Sequence, residues 1–282
     1  MMLKILALIF CVALGSSALT FAFFWLETAW SSHRGYLDRL FGGKTGRSLL
    51  KLILSSAGSL ILVVAFSPLA FWRRLWEPVP DRGCALPPVI LVHGLYHNAS
   101  AWVLYRWWLG RAGFRNVYAF TYNSWKWSFH ELLEQLDRQV AEVATIFDGR
   151  RVALVGHSLG GLLSRAHVEC SGRPERIQAV VALGAPHQGS KLAALGLGSL
   201  AQSLLYRGPL IDRLEEEARK TDVPRLAIHS PVDNMVLPNE ALQTLHGGWE
   251  HRESRPVGHV GMLYHKPTAN LVIDYLLRHS AS

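Results

Sequence analysis

Cysteine is scarce: the 282-residue chain has three, at positions 11, 84 and 170. Their spacings match no zinc-binding pattern, which excludes a structural zinc module. Cys84 and Cys170 could pair, although two free thiols is the plainer expectation, and cysteine usage leaves the redox compartment open. Internal repeats and low-complexity tracts are absent, so a repeat architecture is excluded. Charged residues make up only 18% of the chain. The net charge of +8 is uneven: residues 1–76 carry eight basic and two acidic residues, and the remainder carries 21 against 19. No basic cluster for phosphates is visible in the later part, so nucleic acid is not an expected partner.

Apolar residues are plentiful. Half the chain is hydrophobic and the mean hydropathy is +0.16, with the excess concentrated before residue 76. Residues 5–26 and 52–72 form two runs without a charge. As helices, each is long enough to cross about 30 Å of hydrocarbon. Pro68 near the end of the second run is tolerable in such a helix. Trp25, Trp30, Trp72 and Trp76 sit at the run ends, where indoles favour the headgroup zone. Lys4 and the small residues Gly15-Ser16-Ser17-Ala18 also suit a cleaved signal peptide, but apolar character continues to Trp25, which favours a retained helix. The linker 31–51 holds five basic residues and one acid. The positive-inside rule places it in the cytoplasm and the globular part outside, although Arg73 and Arg74 oppose this. The expected organisation is a membrane-anchoring helical hairpin over 1–76 and a globular domain over 77–282.

From residue 77 onward, short apolar runs alternate with helical patterns. Strands are expected over 88–92, 117–122, 152–156, 177–184, 225–229 and 250–257. Helices are expected over 98–111, 128–147, 159–170 and 264–279. Ser128 and Glu131 form a capping box that opens the second of these. Apolar strands alternating with helices imply an α/β fold, with a mostly parallel sheet of about six strands covered on both faces.

Gly156-His157-Ser158-Leu159-Gly160 matches G-x-S-x-G between an apolar strand and a helix, the context in which this pattern makes a nucleophile elbow. Serine needs a base to act as a nucleophile. In such folds the partners follow in the order Ser, acid, His. His259, between glycines in Val257-Gly258-His259-Val260-Gly261, is the candidate base, with His246, His251 and His265 as rivals. Asp233, four residues past the strand end at His229, is the candidate acid, with Glu240 as its alternative. The Leu159 amide and an amide of the loop His93-Gly94-Leu95-Tyr96 are candidate oxyanion donors, Leu95 ahead of Tyr96. His93 reads as a loop-shaping residue. Trp102, Trp107, Trp108, Trp125 and Trp127 read as core or interface aromatics, or else as an acyl-binding wall.

Five pieces carry a resemblance: Val92-His93-Gly94-Leu95, the elbow, Gly184-Ala185-Pro186-His187-Gln188-Gly189-Ser190, the segment around Asp233, and Gly258-His259. Together they resemble bacterial triacylglycerol lipases and related esterases of the α/β-hydrolase superfamily. The resemblance implies an α/β-hydrolase fold and carboxylester hydrolysis through Ser158, Asp233 and His259, without a cofactor. It implies an ester or lipid substrate; the two N-terminal apolar runs depart from the family, and with the charge of the linker they give the expected placement, the inner membrane of a bacterium with the domain facing the periplasm. The resemblance also implies a cap or lid over 188–222, mobile or packed. The calcium site of some relatives finds no match. A lipid deacylase, phospholipase, thioesterase or acyltransferase would share the triad, since fold does not set substrate. A dead hydrolase scaffold serving as an interaction protein is the remaining reading.

Overall fold

The computed structural model describes residues 2–171 and 173–280. Four helices precede the sheet: α1 (Met2–Thr28), α2 (Ser32–Leu40), α3 (Thr45–Phe66) and the short α4 (Arg73–Trp76). The strands are β1 (Val89–Val92), β2 (Val117–Phe120), β3 (Val152–His157), β4 (Ile177–Leu183), β5 (Arg225–His229) and β6 (Glu250–Glu253). They form one six-stranded sheet in the order β2-β1-β3-β4-β5-β6, with every neighbouring pair parallel. The expected fold class is what the structure has, and the sheet is wholly parallel among the described residues.

The remaining helices are α5 (Val103–Arg111), α6 (Phe129–Ile146), α7 (Leu159–Glu169), α8 (Ser199–Gln202), α9 (Pro209–Glu217) and α10 (Lys266–Arg278). Strand side chains alternate between faces. Ile90, Val92 and Leu154 therefore join Leu132 and Leu136 of α6 and Leu162 of α7 in one core layer. Val89, Leu91 and Val155 join Leu109 of α5 and Val272 and Leu276 of α10 in the other. The capping box at Ser128 is formed, with the Ser128 amide donating to Glu131 Oε2 at 2.8 Å.

The chain runs from β1 outward to β2 and then returns to β3 on the other side of β1. Ligand crevices in open parallel sheets form at such a reversal, beyond the carboxyl ends of the strands. The two sheet edges are closed differently. At β2 the outward carbonyls are taken by side chains: Arg106 donates to Val117 O, and Gln139 donates to Ala119 O at 3.3 Å. At β6 the strand is charged and partly or fully exposed, reading Glu250-His251-Arg252-Glu253.

Helix α1 and residues Thr45–Phe71 are long and apolar enough to cross a membrane, with mean hydropathy of 2.3 and 2.2 over their best windows. They also pack on the rest of the chain. Phe21, Phe24, Leu37 and Leu52 share a buried cluster with Val232 and Leu237, which follow β5. Lys191 pairs with Glu27 at 2.6 Å, and His33 Nε2 donates to Pro231 O at 2.7 Å. Tyr36 donates to Glu253. Within the linker 31–51, residues 32–40 form helix α2 and residues 45–51 begin helix α3, and α2 is held against the loop after β5.

The three cysteines are free. Trp102 and Trp108 are buried in the core beside α10, whereas Trp107 and Trp125 are exposed.

Candidate active site

The site lies at the reversal between β1 and β3. Ser158 is the residue between β3 and α7, at φ 55° and ψ −125°, a left-handed conformation unusual for a residue with a side chain. The sharp turn depends on its glycines. A Cβ on Gly156 would stand 2.2 Å from Gly160 O, and one on Gly160 would stand 2.1 Å from Val92 O. The turn is anchored by the Ser158 amide, which donates to Leu183 O at 2.8 Å. The amide end of α7 lies directly after the serine, contributing free N–H groups and the positive end of a helix dipole.

Asp233 is fully buried in the loop after β5. Its Oδ1 accepts from the amides of Met235 and Val236, both at 2.9 Å. Its Oδ2 accepts from His259 Nδ1 at 2.7 Å. A carboxylate there holds the proton on Nδ1 and leaves Nε2 as a base. Gly184, at φ +53°, permits this approach, because a Cβ there would lie 3.2 Å from both Asp233 Oδ2 and His259 Nδ1.

Two further residues hold His259 by its backbone. Asn234 Oδ1 accepts from the His259 amide at 3.0 Å, and His157 Nε2 donates to the His259 carbonyl at 3.1 Å. Sequence reasoning assigned neither role. Their only signal was adjacency, Asn234 to Asp233 and His157 to Ser158.

Ser158 and His259 line one cavity of about 530 Å³. No hydrogen bond joins them among the described residues. Such bonds are commonly long in unliganded enzymes and tighten with substrate. The cavity also holds Leu95 and Tyr96. The amides of Leu95 and Leu159 have no hydrogen-bond partner among the described residues, whereas the Tyr96 amide donates to Ser124 Oγ at 3.0 Å. Leu95 is therefore the available donor of that loop. A larger open groove of about 880 Å³ between α4 and α6 contains Trp127 but none of the candidate triad or oxyanion residues.

Neutral imidazoles surround the site. Burial lowers His93 to about 4 and His97 to about 3, and it pushes His157 well below the usual histidine range. His93 is fixed as a loop strut: Nδ1 donates to Gly94 O at 2.9 Å, Nε2 accepts from the Tyr122 amide at 3.2 Å, and the ring stacks on Tyr122.

The alternatives lie elsewhere. His246 contacts Glu215, His251 contacts Thr244 and His265 contacts Thr268. Glu240 is exposed, on the turn Asn239–Leu242. None of the four lines the cavity, and neither do the five tryptophans. Trp125 instead stacks on Tyr96, ring centroids 4.9 Å apart. The Tyr96 hydroxyl donates to Leu197 O at 2.5 Å and accepts from the Leu197 amide at 2.8 Å. This clasp joins the loop after β1 to the segment expected to act as a cap.

Comparison with known proteins places these features in context. The model of the alpha/beta hydrolase family matches residues 89–274. No curated protein sequence matches the chain significantly. Among solved structures, the mature lipase BlEst2 of Bacillus licheniformis superposes with a TM-score of 0.59 at 18% identity, over 71% of this chain and 94% of that one. Lipase B of Aspergillus fumigatus gives 0.60 at 19% identity, over 73% and 56%. Phospholipase PlaB of Legionella pneumophila gives 0.56 at 16% identity, over 70% and 60%. At these identities the likeness is one of fold.

Proposed function

The chain belongs to the alpha/beta hydrolase family, and on that premise we propose that it is a membrane-anchored serine carboxylester hydrolase. Ser158 is the nucleophile, His259 the base and Asp233 the acid. The observation that carries the reading is the 2.7 Å contact between His259 Nδ1 and Asp233 Oδ2, in a cavity that His259 shares with the strained Ser158.

His259 Nε2 takes the proton of Ser158 Oγ as that oxygen attacks the ester carbonyl carbon. The Leu95 and Leu159 amides stabilise the negative oxygen that develops. The carbon–oxygen bond to the alcohol breaks, and His259 returns the proton to the departing oxygen. Water then repeats the sequence on the acyl-serine, releasing a carboxylic acid and restoring the hydroxyl. The neutral state of His93, His97 and His157 keeps positive charge away from an imidazole that must itself become cationic. The lipase and phospholipase names of the similar structures favour an ester or lipid substrate.

Helices α1 and α3 supply the anchor. Retention of α1 is favoured over cleavage, because a cut behind Ala18 would remove the buried Ala13 and Ser17. The contacts of α2 with the loop after β5 favour a linker and catalytic domain on the same side of the membrane, which requires that α3 not cross it and that the two helices anchor through their exposed apolar faces, rather than a cytoplasmic linker with a periplasmic domain. The reading divides the chain into an N-terminal anchor over 1–76 and a catalytic domain over 77–282, with 188–222 as its cap.

The test is hydrolysis of p-nitrophenyl esters of rising chain length, alongside thioesters and phospholipids, with Ser158→Ala as control. Ser158→Ala should abolish hydrolysis and fluorophosphonate labelling. Wild-type activity in that variant would remove the proposal. Recovery of the full-length chain in the soluble fraction would remove the anchoring part.

A further inference from the structure

The cavity that holds Ser158 is not built by the hydrolase domain alone. Ser16, Leu19, Thr20 and Phe23 of α1 line it, together with Leu60 of α3. The four α1 positions follow the i, i+3, i+4, i+7 spacing, so they form one helix face. A neighbouring face, Ala13, Ser17, Phe21 and Phe24, is buried. The opposite wall comes from the cap, with Leu192, Ala193, Leu195 and Leu204. Leu19 and Leu195 line the cavity and are nevertheless 56% and 64% exposed, so they stand at its mouth. That mouth continues into the exposed apolar surface of α1, where Leu8 and Val12 on one side and Leu26 on the other are open.

A polar thread links the same helix to the base. Asn234 Nδ2 donates to Thr20 Oγ1 at 2.6 Å, while Asn234 Oδ1 holds the His259 amide. The apolar wall and this thread come from one stretch of one helix.

We propose that α1 is a wall of the acyl-binding site as well as an anchor, and that the substrate is a long-chain ester resident in the bilayer. The inference rests on the ester-hydrolase reading. A lipid chain in contact with the exposed face of α1 slides between Leu19 and Leu195 toward Ser158, keeping its methylenes out of water throughout. A short soluble ester makes no use of this wall and gains nothing from it.

The experiment uses the full chain in phosphatidylcholine vesicles, with p-nitrophenyl palmitate and p-nitrophenyl butyrate as probes. The readout is the ratio of kcat/KM for palmitate over butyrate. The wild type should prefer palmitate. Leu19→Glu and Ser16→Leu, both at exposed positions that do not depend on core packing, should lower the ratio at least fivefold. Fluorophosphonate labelling of Ser158 in each variant reports an intact site. A smaller fall in both variants, or a wild type that prefers butyrate, overturns the inference and leaves the ester-hydrolase reading standing. A wild type without ester hydrolysis on any substrate overturns both. Thr20→Val should lower kcat on both esters without raising KM, as expected of a positioning residue acting through Asn234. Recovery of kcat in Thr20→Ser would tie the effect to the hydroxyl.

Discussion

Asp233→Asn probes the assignment of the acid most directly. The carboxylate is buried, and its two oxygens are committed to different tasks: Oδ1 to the Met235 and Val236 amides, and Oδ2 to His259 Nδ1. Asparagine can keep the first task, because its single oxygen still accepts from both amides. Its NH₂ group then faces Nδ1 of the imidazole as a second donor. The ring relieves the clash by moving its proton to Nε2, where it can no longer take the proton of Ser158. The expected loss in kcat is about 10⁴-fold, or about 5 kcal/mol of barrier, by analogy with the same exchange in serine proteases. KM should stay within a few-fold, since Asp233 does not line the cavity. The assay is hydrolysis of a p-nitrophenyl ester by the full chain in detergent, beside a thermal unfolding curve showing that the variant is folded. A folded Asp233→Asn enzyme within tenfold of wild-type kcat would refute the role of Asp233 and reopen the choice of acid.

Other predictions concern the frame around the site. Glu169 is buried and receives Arg165 Nε and Trp249 Nε1, both at 2.7 Å, with Arg225 as a third partner; Glu169→Gln should cost roughly 3–5 kcal/mol by leaving buried guanidinium charge uncompensated. Urea unfolding measures this, and a change below 1 kcal/mol would show that the buried guanidinium groups are compensated without Glu169, for Arg165 by Glu215 at 2.7 Å. Gly160→Ala drives a methyl group to within 2.1 Å of Val92 O and should cost about 3 kcal/mol or more while preventing fluorophosphonate labelling; normal labelling would contradict the elbow geometry. Stability should also fall in acid. His93 and His97 stay neutral in the fold down to about 4 and about 3, whereas the unfolded chain binds those protons near 6.5. Their contribution is complete above pH 6.5 and is lost as pH falls toward 4, roughly 3 kcal/mol for His93 alone. A urea midpoint that stays level from pH 7 to pH 4.5 would refute it.

Much of the site was legible in the chain because local rules carry it. The Ser158 turn needs glycine at 156 and 160 for steric reasons that act within a few residues, and the Ser128–Glu131 box closes on itself. Most strand positions were legible because both faces are buried, which leaves continuous apolar runs such as 89–92; the exposed, charged β6 has no such run and ends at Glu253 rather than 257. Boundaries shifted where proline intervened: the closing helix begins at Lys266, with Pro267 in its first turn, and not at residue 264. Helix α2 went unread because it is short, charged and interrupted by Gly35, although Tyr36, Leu37 and Leu40 fall at helical spacing; burial of Leu37 in one cluster with Phe24 and Val232 accompanies its helical form. The grips on His259 by Asn234 and His157 were equally hidden, since they join residues 25 and 102 positions apart. The share of the cavity wall taken by α1 could not be read either, because an apolar run looks the same whether it faces lipid or a binding site.

An unpaired strand rim invites another polypeptide to dock by its backbone. Here neither rim is open to that. Arg106 and Gln139 occupy the vacant oxygens along β2, and the opposite rim bristles with alternating charge. Ribbon growth from sheet to sheet is therefore opposed at both edges.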